Sequence, residues 1–268
     1  MIDRGRHNVL GVMVSALDYE AAVARIVAAG RARNPLAVSA LAVHGVMTGV
    51  LDAEHRYRLN ALDLVVPDGQ PVRWAVNRLH HTGVVDRVYG PTLMLKTCEG
   101  AANAGLPIFL FGGSAPLQKR LRLNLMQRFP TLQIAGAQPS KFRRLTPEER
   151  DQTVADIRAS GAAITFVGLG CPRQEVWAYE FREALSMPIL AVGAAFNFHA
   201  GLLPQAPGWM QASGLEWFFR LLSEPRRLWR RYLLLNPLYV GMLMLQATHL
   251  RDFDPRHSSP PTQELLYG

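Results

Sequence analysis

The chain has 268 residues, 49% hydrophobic and 19% charged, which is ample for one large core and excludes wholesale disorder and a long soluble coiled coil. Its 29 basic residues against 21 acidic ones give a net charge of +8, and 26 of the 29 are Arg, the planar cation that holds phosphates and packs at interfaces. Composition therefore admits nucleic acid, phosphorylated substrates or an anionic membrane as partners.

The first seven residues, Met1 to His7, lack the apolar stretch and cleavage site of a secretory signal. Between residues 8 and 197 one unit recurs: a short apolar run, a turn rich in Gly, Pro or Asp, then a stretch of helical periodicity. This alternation predicts an α/β fold. The predicted strands are 36–39, 64–66, 107–111, 132–135, 163–167 and 189–192, most of them apolar on both faces as buried parallel strands are. The predicted helices are 18–30, 45–60, 70–80, 92–104, 115–128, 147–160 and 173–185. Thr146-Pro147-Glu148-Glu149 is a clear helix start, with a capping hydroxyl, Pro at the first position and a carboxylate at the third. Beyond Gly208 the character changes: residues 209–250 hold three of the five Trp, the cluster Arg226-Arg227-Leu228-Trp229-Arg230-Arg231 and an apolar run 232–245 interrupted by Asn236-Pro237. That run is too short to span a bilayer, which takes about 20 residues, but long enough to lie in one. The reading is a core over 1–207, an amphipathic Arg- and Trp-rich helical appendage over 208–250 and a flexible tail over 251–268.

Cys98 and Cys171 stand far apart with no CxxC or His-containing ligand spacing, which argues against a disulfide framework or structural zinc and fits a reducing cytoplasm. Three turns join an apolar run to a helix: Phe111-Gly112-Gly113-Ser114, Val167-Gly168-Leu169-Gly170-Cys171-Pro172 and Val192-Gly193-Ala194-Ala195. Each glycine turn can be simple βα geometry; three at one sheet edge favour a nucleotide, whose phosphates suit free helix N–H groups. There is no Walker A loop and no complete GxGxxG with an acidic partner. Asp68, after a strand and before a helix, is either an N-cap or a carboxylate facing a cleft that takes a proton from an attacking hydroxyl. Cys171 is a small turn residue or, at a helix start beside Arg173, a reactive thiol without an evident His partner. Gln174 and Glu175 are placed to meet a base or ribose. His80, His81 and His199 offer no metal spacing, and Asp252-Phe253-Asp254 has the DxD form of metal-binding transferases but lies in a Pro-rich tail.

Several long motifs occur in order: Asp68-Gly69, Arg87-Val88-Tyr89-Gly90, Phe111-Gly112-Gly113, Gly168 through Trp177, Gly193 through Gly201, Gly214-Leu215-Glu216-Trp217 through Leu221, Glu224-Pro225-Arg226-Arg227 and Arg231-Tyr232-Leu233. Over about residues 8 to 245 the chain resembles the WecG/TagA/CpsF glycosyltransferases. The resemblance implies a Rossmann-like core without a metal-binding DxD site and a C-terminal appendage that meets the membrane and completes the active site. It implies inverting transfer from a UDP-sugar to an undecaprenyl-diphosphate-linked saccharide, on the cytoplasmic face of the inner membrane, with self-association off it. Asp68 maps onto the proposed base. Ser39, Arg87, Gln174 and Asn197 map onto other motif positions, with Leu41 and Asn197 replacing Asn and Asp, and Thr92 standing where many members have Asp.

Taken with the glycine turns, these positions predict a UDP-sugar site formed by Ser39, Arg87, Gly112, Gly113, Gly170, Gln174, Asn197, Arg227 and Arg231, with the pyrophosphate near Gly112 and Gly170 and no metal required. The arginines at 220, 226, 227, 230 and 231 divide between UDP and anionic lipid. Two alternatives are an NAD-type oxidoreductase, suggested by the glycine turns alone, and a non-enzymatic basic protein binding membrane or nucleic acid. The interleaving of the densest Arg cluster with Trp and Leu favours lipid and makes nucleic acid the least favoured partner.

Overall fold

A hairpin that the periodicity does not announce opens the chain: β1 (Asp3–Val9) and β2 (Val12–Leu17) pair antiparallel. Its two turn residues, Leu10 and Gly11, both have positive φ, at 56° and 87°, as a primed two-residue turn requires. Leu10 at the first position is a poor turn signal, which is why the sequence hides this hairpin. It is tolerated because its side chain is fully buried and its N–H donates to Gln246 Oε1 at 2.9 Å.

The computed structural model describes residues 1–268, with the side chain of Arg231 excepted. After the hairpin come α1 (Tyr19–Ala32), β3 (Leu36–Leu41), α2 (Val43–Leu51), α3 (Ala53–Ala61), β4 (Leu64–Pro67), α4 (Gln70–His80), α5 (Gly90–Ala104), β5 (Ile108–Gly112), α6 (Ala115–Arg128) and β6 (Ile134–Gln138). They are followed by α7 (Pro147–Ala159), β7 (Ile164–Gly168), α8 (Arg173–Leu185), β8 (Pro188–Ala191), α9 (Ala195–His199), α10 (Gly208–Ala212), α11 (Glu216–Ser223) and α12 (Pro225–Ala247). The six expected strands and the helices between them are present. The single helix expected over 45–60 is two, because Asp52 leaves helical geometry at φ −127°, ψ 112° and caps α3 by accepting from the His55 N–H. The capping box at Thr146 and Glu149 forms as its sequence predicts.

The strands make one six-stranded parallel sheet in the order β4-β3-β8-β7-β5-β6. Residues alternate between its faces. Leu41, Val65, Phe111, Val167 and Ile189 pack into a core with the hairpin, α2, α3, α4 and α8, while Val38, Val66, Leu110, Phe166 and Leu190 pack against α1, α5, α6 and α9. Burial of both faces by helices makes this an α/β sandwich of three layers. The strand order reverses beside β3 and β8, and a crevice opens at the carboxyl ends of the strands there.

The chain after Gly208 returns to that crevice. Asn236-Pro237 does not break α12: Pro237 lies inside the helix. Leu228 and Tyr239 are buried, and the Tyr239 hydroxyl donates to the Pro71 carbonyl at 3.2 Å, anchoring α12 to the start of α4. Among the described residues no helix is long and apolar enough to cross a membrane. The segment 251–268, expected to be a loose tail, instead lies along the core. Its Phe253 is buried, its Leu265 and Leu266 N–H groups donate to the Glu180 carboxylate at 2.7 and 3.0 Å, and Gly268 bonds back to Arg143. Paired backbone groups and one buried aromatic offset the chain entropy that a Pro-rich composition alone would leave free.

Candidate functional site

The crevice holds a cavity of about 410 Å³ walled by the ends of β3, β4, β7 and β8 and roofed by α11 and α12. Asp68 lies at its floor, one residue past β4. It does not cap its own helix, since the N-cap of α4 is Gly69. Asp68 Oδ1 instead accepts the N–H of Gly90, the first residue of α5, at 2.6 Å, so a helix N-terminus faces the carboxylate. A glycine at 90 keeps this approach uncrowded: a Cβ there would lie 3.2 Å from Oδ1 and 3.0 Å from the Ala40 Cβ.

Arg87 joins this floor to the roof. One guanidinium nitrogen donates to the Asp68 carbonyl at 3.2 Å; another pairs with the Glu216 carboxylate at 2.7 Å and donates to Gln211 Oε1 at 3.1 Å. The group stacks over the Tyr89 ring at 4.1 Å, and the Tyr89 hydroxyl donates to the second Glu216 oxygen at 2.8 Å. Burial alone would lower the Arg87 pKa, but the Glu216 and Asp68 carboxylates reverse this and hold it charged. Burial pushes the Asp68 carboxyl up, Arg87 pulls it down, Glu216 pushes it up and the Gly90 N–H and Arg220 pull it down, for a net value of about 6. Such a carboxylate is ionised at neutral pH yet basic enough to accept a proton from a reacting hydroxyl. Arg220 and Arg227 also line the cavity, so its roof carries cations suited to an anion.

The structure gathers some of the predicted site residues and not others. Asp68, Arg87, Gly170, Gln174 and Arg227 line the cavity. Gln174 accepts the Gly170 N–H at 3.1 Å through Oε1 and fixes that turn. Ser39 does not reach the cavity: it is fully buried beneath it, and its hydroxyl is spent on Glu175 Oε1 at 3.1 Å. Gly112 and Gly113 are also absent from its walls. Gly112 is explained by packing, since with φ at 108° a Cβ would come 2.8 Å from the Gly168 carbonyl oxygen. Asn197 lies on α9 beside Phe198, and it is Phe198 that lines the cavity. The side chain of Arg231 lies outside the described residues. Cys171, read as lacking a His partner, has His44 Nδ1 at 3.7 Å from its sulfur. His80 and His199 are each bonded to a backbone carbonyl, and Asp254 pairs with Arg256 at 2.7 Å.

Two residues that no candidate list from the sequence contained prove central to the geometry. Glu216 and Tyr89 were visible only inside longer motifs, because a carboxylate that pairs with an arginine 129 positions away leaves no local pattern.

The glycosyl transferase WecG/TagA/CpsF family model matches residues 7–252. The chain belongs to this family. It is therefore a glycosyltransferase, and the cavity at the sheet's carboxyl edge is its candidate active site.

Proposed function

We propose that this glycosyltransferase is an inverting enzyme that moves a sugar from a UDP-sugar to a polyprenyl-diphosphate-linked saccharide in bacterial exopolysaccharide, capsule or wall-polymer synthesis. The observation that carries this reading is Asp68: a half-buried carboxylate with a pKa near 6, on the floor of a cavity whose roof bears Arg220 and Arg227. Inversion needs one base and no covalent intermediate. The acceptor hydroxyl gives its proton to Asp68 as its oxygen bonds to the anomeric carbon, and the bond from that carbon to UDP breaks with its electron pair leaving on UDP. Arg220, Arg227 and the N–H groups at the Gly170 turn and the start of α8 stabilise the charge that UDP gains, so the transfer requires no metal. Oδ1 of Asp68 is held by Gly90, which leaves the second oxygen for the acceptor.

A screen of UDP-sugars with a lipid-diphosphate-linked saccharide acceptor, reading released UDP and the anomeric configuration of the product, tests this directly. One UDP per product with inversion is expected. Product with retained configuration, or turnover of NAD in place of UDP-sugars, would refute it.

The acceptor is lipid-linked, and the appendage suits a peripheral role at the cytoplasmic face of the inner membrane. Leu233 and Leu234 are 62% and 67% exposed, Trp229 and Met244 are also exposed, and Arg226 and Arg230 stand beside them. The protein is expected to bind phosphatidylglycerol-containing vesicles and to lose about tenfold in affinity for each Leu233→Asn or Leu234→Asn change. Cosedimentation checks this, and equal binding by the double variant would place the contact elsewhere. Off the membrane the same apolar face favours self-association.

A further inference from the structure

At the wall of the donor cavity lies a group of side chains to which the proposed transfer assigns no step. Glu175 and His55 are 0% and 2% exposed, and they come from α8 and α3, which pack side by side. Cys171, in the turn before α8, completes the group: one ligand atom from each of His55, Cys171 and Glu175 lies within 4.8 Å of the others. The Cys171 thiol donates to the Glu175 carboxylate, whereas His55 Nε2 is buried with no hydrogen-bond partner. Buried polar atoms in folded proteins are nearly always paired, so an unpartnered imidazole nitrogen beside a thiol and a carboxylate points to a ligand that all three would share.

We propose that His55, Cys171 and Glu175 form a binding site for a borderline-soft divalent transition metal, with Zn²⁺ the best match. The donor set decides the metal class. An imidazole nitrogen and a thiolate sulfur beside one carboxylate oxygen suit Zn²⁺ or Co²⁺, whereas Mg²⁺ and Ca²⁺ take oxygen ligands. Tetrahedral bonds of about 2.0–2.3 Å set donor atoms roughly 3.3–3.8 Å apart, so the ligands need to draw together by about 1 Å. A supporting shell already exists around Glu175. Ser39 Oγ and Gln174 Nε2 both donate to Oε1, at 3.1 and 2.9 Å, which orients the carboxylate and leaves Oε2 for the ion. Cys171 and Glu175 also line the donor cavity, so the fourth coordination position opens toward it, beside His44. The site is distinct from the diphosphate cations, and ion binding is read without any assay of transfer.

The test is titration of the full-length, reduced protein with Co²⁺, followed by displacement with Zn²⁺. One Co²⁺ per chain is expected, with the near-ultraviolet charge-transfer band of a thiolate ligand and the strong visible bands of tetrahedral cobalt, both removed by one equivalent of Zn²⁺. Cys171→Ser should abolish the charge-transfer band, and His55→Gln should weaken Zn²⁺ binding at least tenfold in competition with a chromophoric chelator. Absence of the band from the wild-type protein, or its persistence in Cys171→Ser, overturns the proposal. Wild-type affinity in a His55→Gln protein with a native circular dichroism spectrum does so as well. Should His55→Gln not fold, Glu175→Gln replaces it under the same criterion, and the wild-type and Cys171→Ser spectra decide in any case.

Discussion

Asp68→Asn is expected to lower kcat by about 10³-fold or more while leaving UDP affinity within about threefold of wild type, since it removes a general base and no nucleotide contact. The substitution is nearly isosteric. The Asn Oδ1 still accepts the Gly90 N–H, and removing a carboxylate whose charge is disfavoured by burial relieves a desolvation cost. The folded-state pKa of Asp68 lies above its ordinary value, so its ionisation opposes stability at neutral pH, and the variant should melt no lower than wild type. Nucleotide binding by calorimetry, single-turnover rate and melting temperature together separate loss of the base from loss of the fold. A variant that binds UDP, melts normally and still turns over at near wild-type rate would remove Asp68 from the chemistry.

The second large effect belongs to the roof of the cavity. Arg220→Ala should cost about 10²-fold in kcat/KM, because a cation aimed at developing charge in a partly desolvated site contributes much more than a surface pair. Arg220 is carried by α11, and its guanidinium lies 6.0 Å from the centroid of the Phe198 ring across the cavity, at the outer limit of a cation–π contact. Arg227 is more exposed and already paired with Glu224 at 2.6 Å, so Arg227→Ala should cost only about tenfold. Initial rates against donor concentration check both. Equal, small losses would mean that neither arginine meets the leaving group.

Much of this architecture can be read from the sequence, and the limits have identifiable causes. The five buried strands announce themselves as apolar runs because helices cover both faces of the sheet, and the sixth, β6, is a half-buried edge strand. The Thr146 capping box, likewise, is a purely local pattern. The β1–β2 hairpin escapes because buried Leu10 occupies the left-handed turn position where Asn or Gly would signal it. Asp68, Gly170, Gln174 and Arg227 are recognisable as cavity residues, since each follows a strand, opens a helix or sits in a charge cluster beside the crevice, whereas Arg87 is reached only through the family resemblance. Gly112 and Ser39 stand outside the cavity walls: a tight strand approach accounts for the glycine, and the Ser39 hydroxyl, a position taken from the family resemblance, bonds to Glu175. The clusters that tertiary structure assembles leave no spacing to read. His55, Cys171 and Glu175 lie on separate stretches of chain, and Glu216 meets Arg87 only when α11 closes over the cavity.

That closure gives the central claim its most direct test, the pH dependence of kcat/KM for the wild type, Arg87→Gln and Glu216→Gln. If ionised Asp68 takes the acceptor proton, wild-type kcat/KM should fall about tenfold per pH unit below about pH 6 and be level above it. Arg87 holds the Asp68 pKa down and Glu216 holds it up, so the acid limb should move to higher pH in Arg87→Gln and to lower pH in Glu216→Gln. Opposite displacements of the limb are the predicted result. A profile flat from pH 5 to 8, or one whose limb ignores both substitutions, would contradict the assignment of Asp68 as the base.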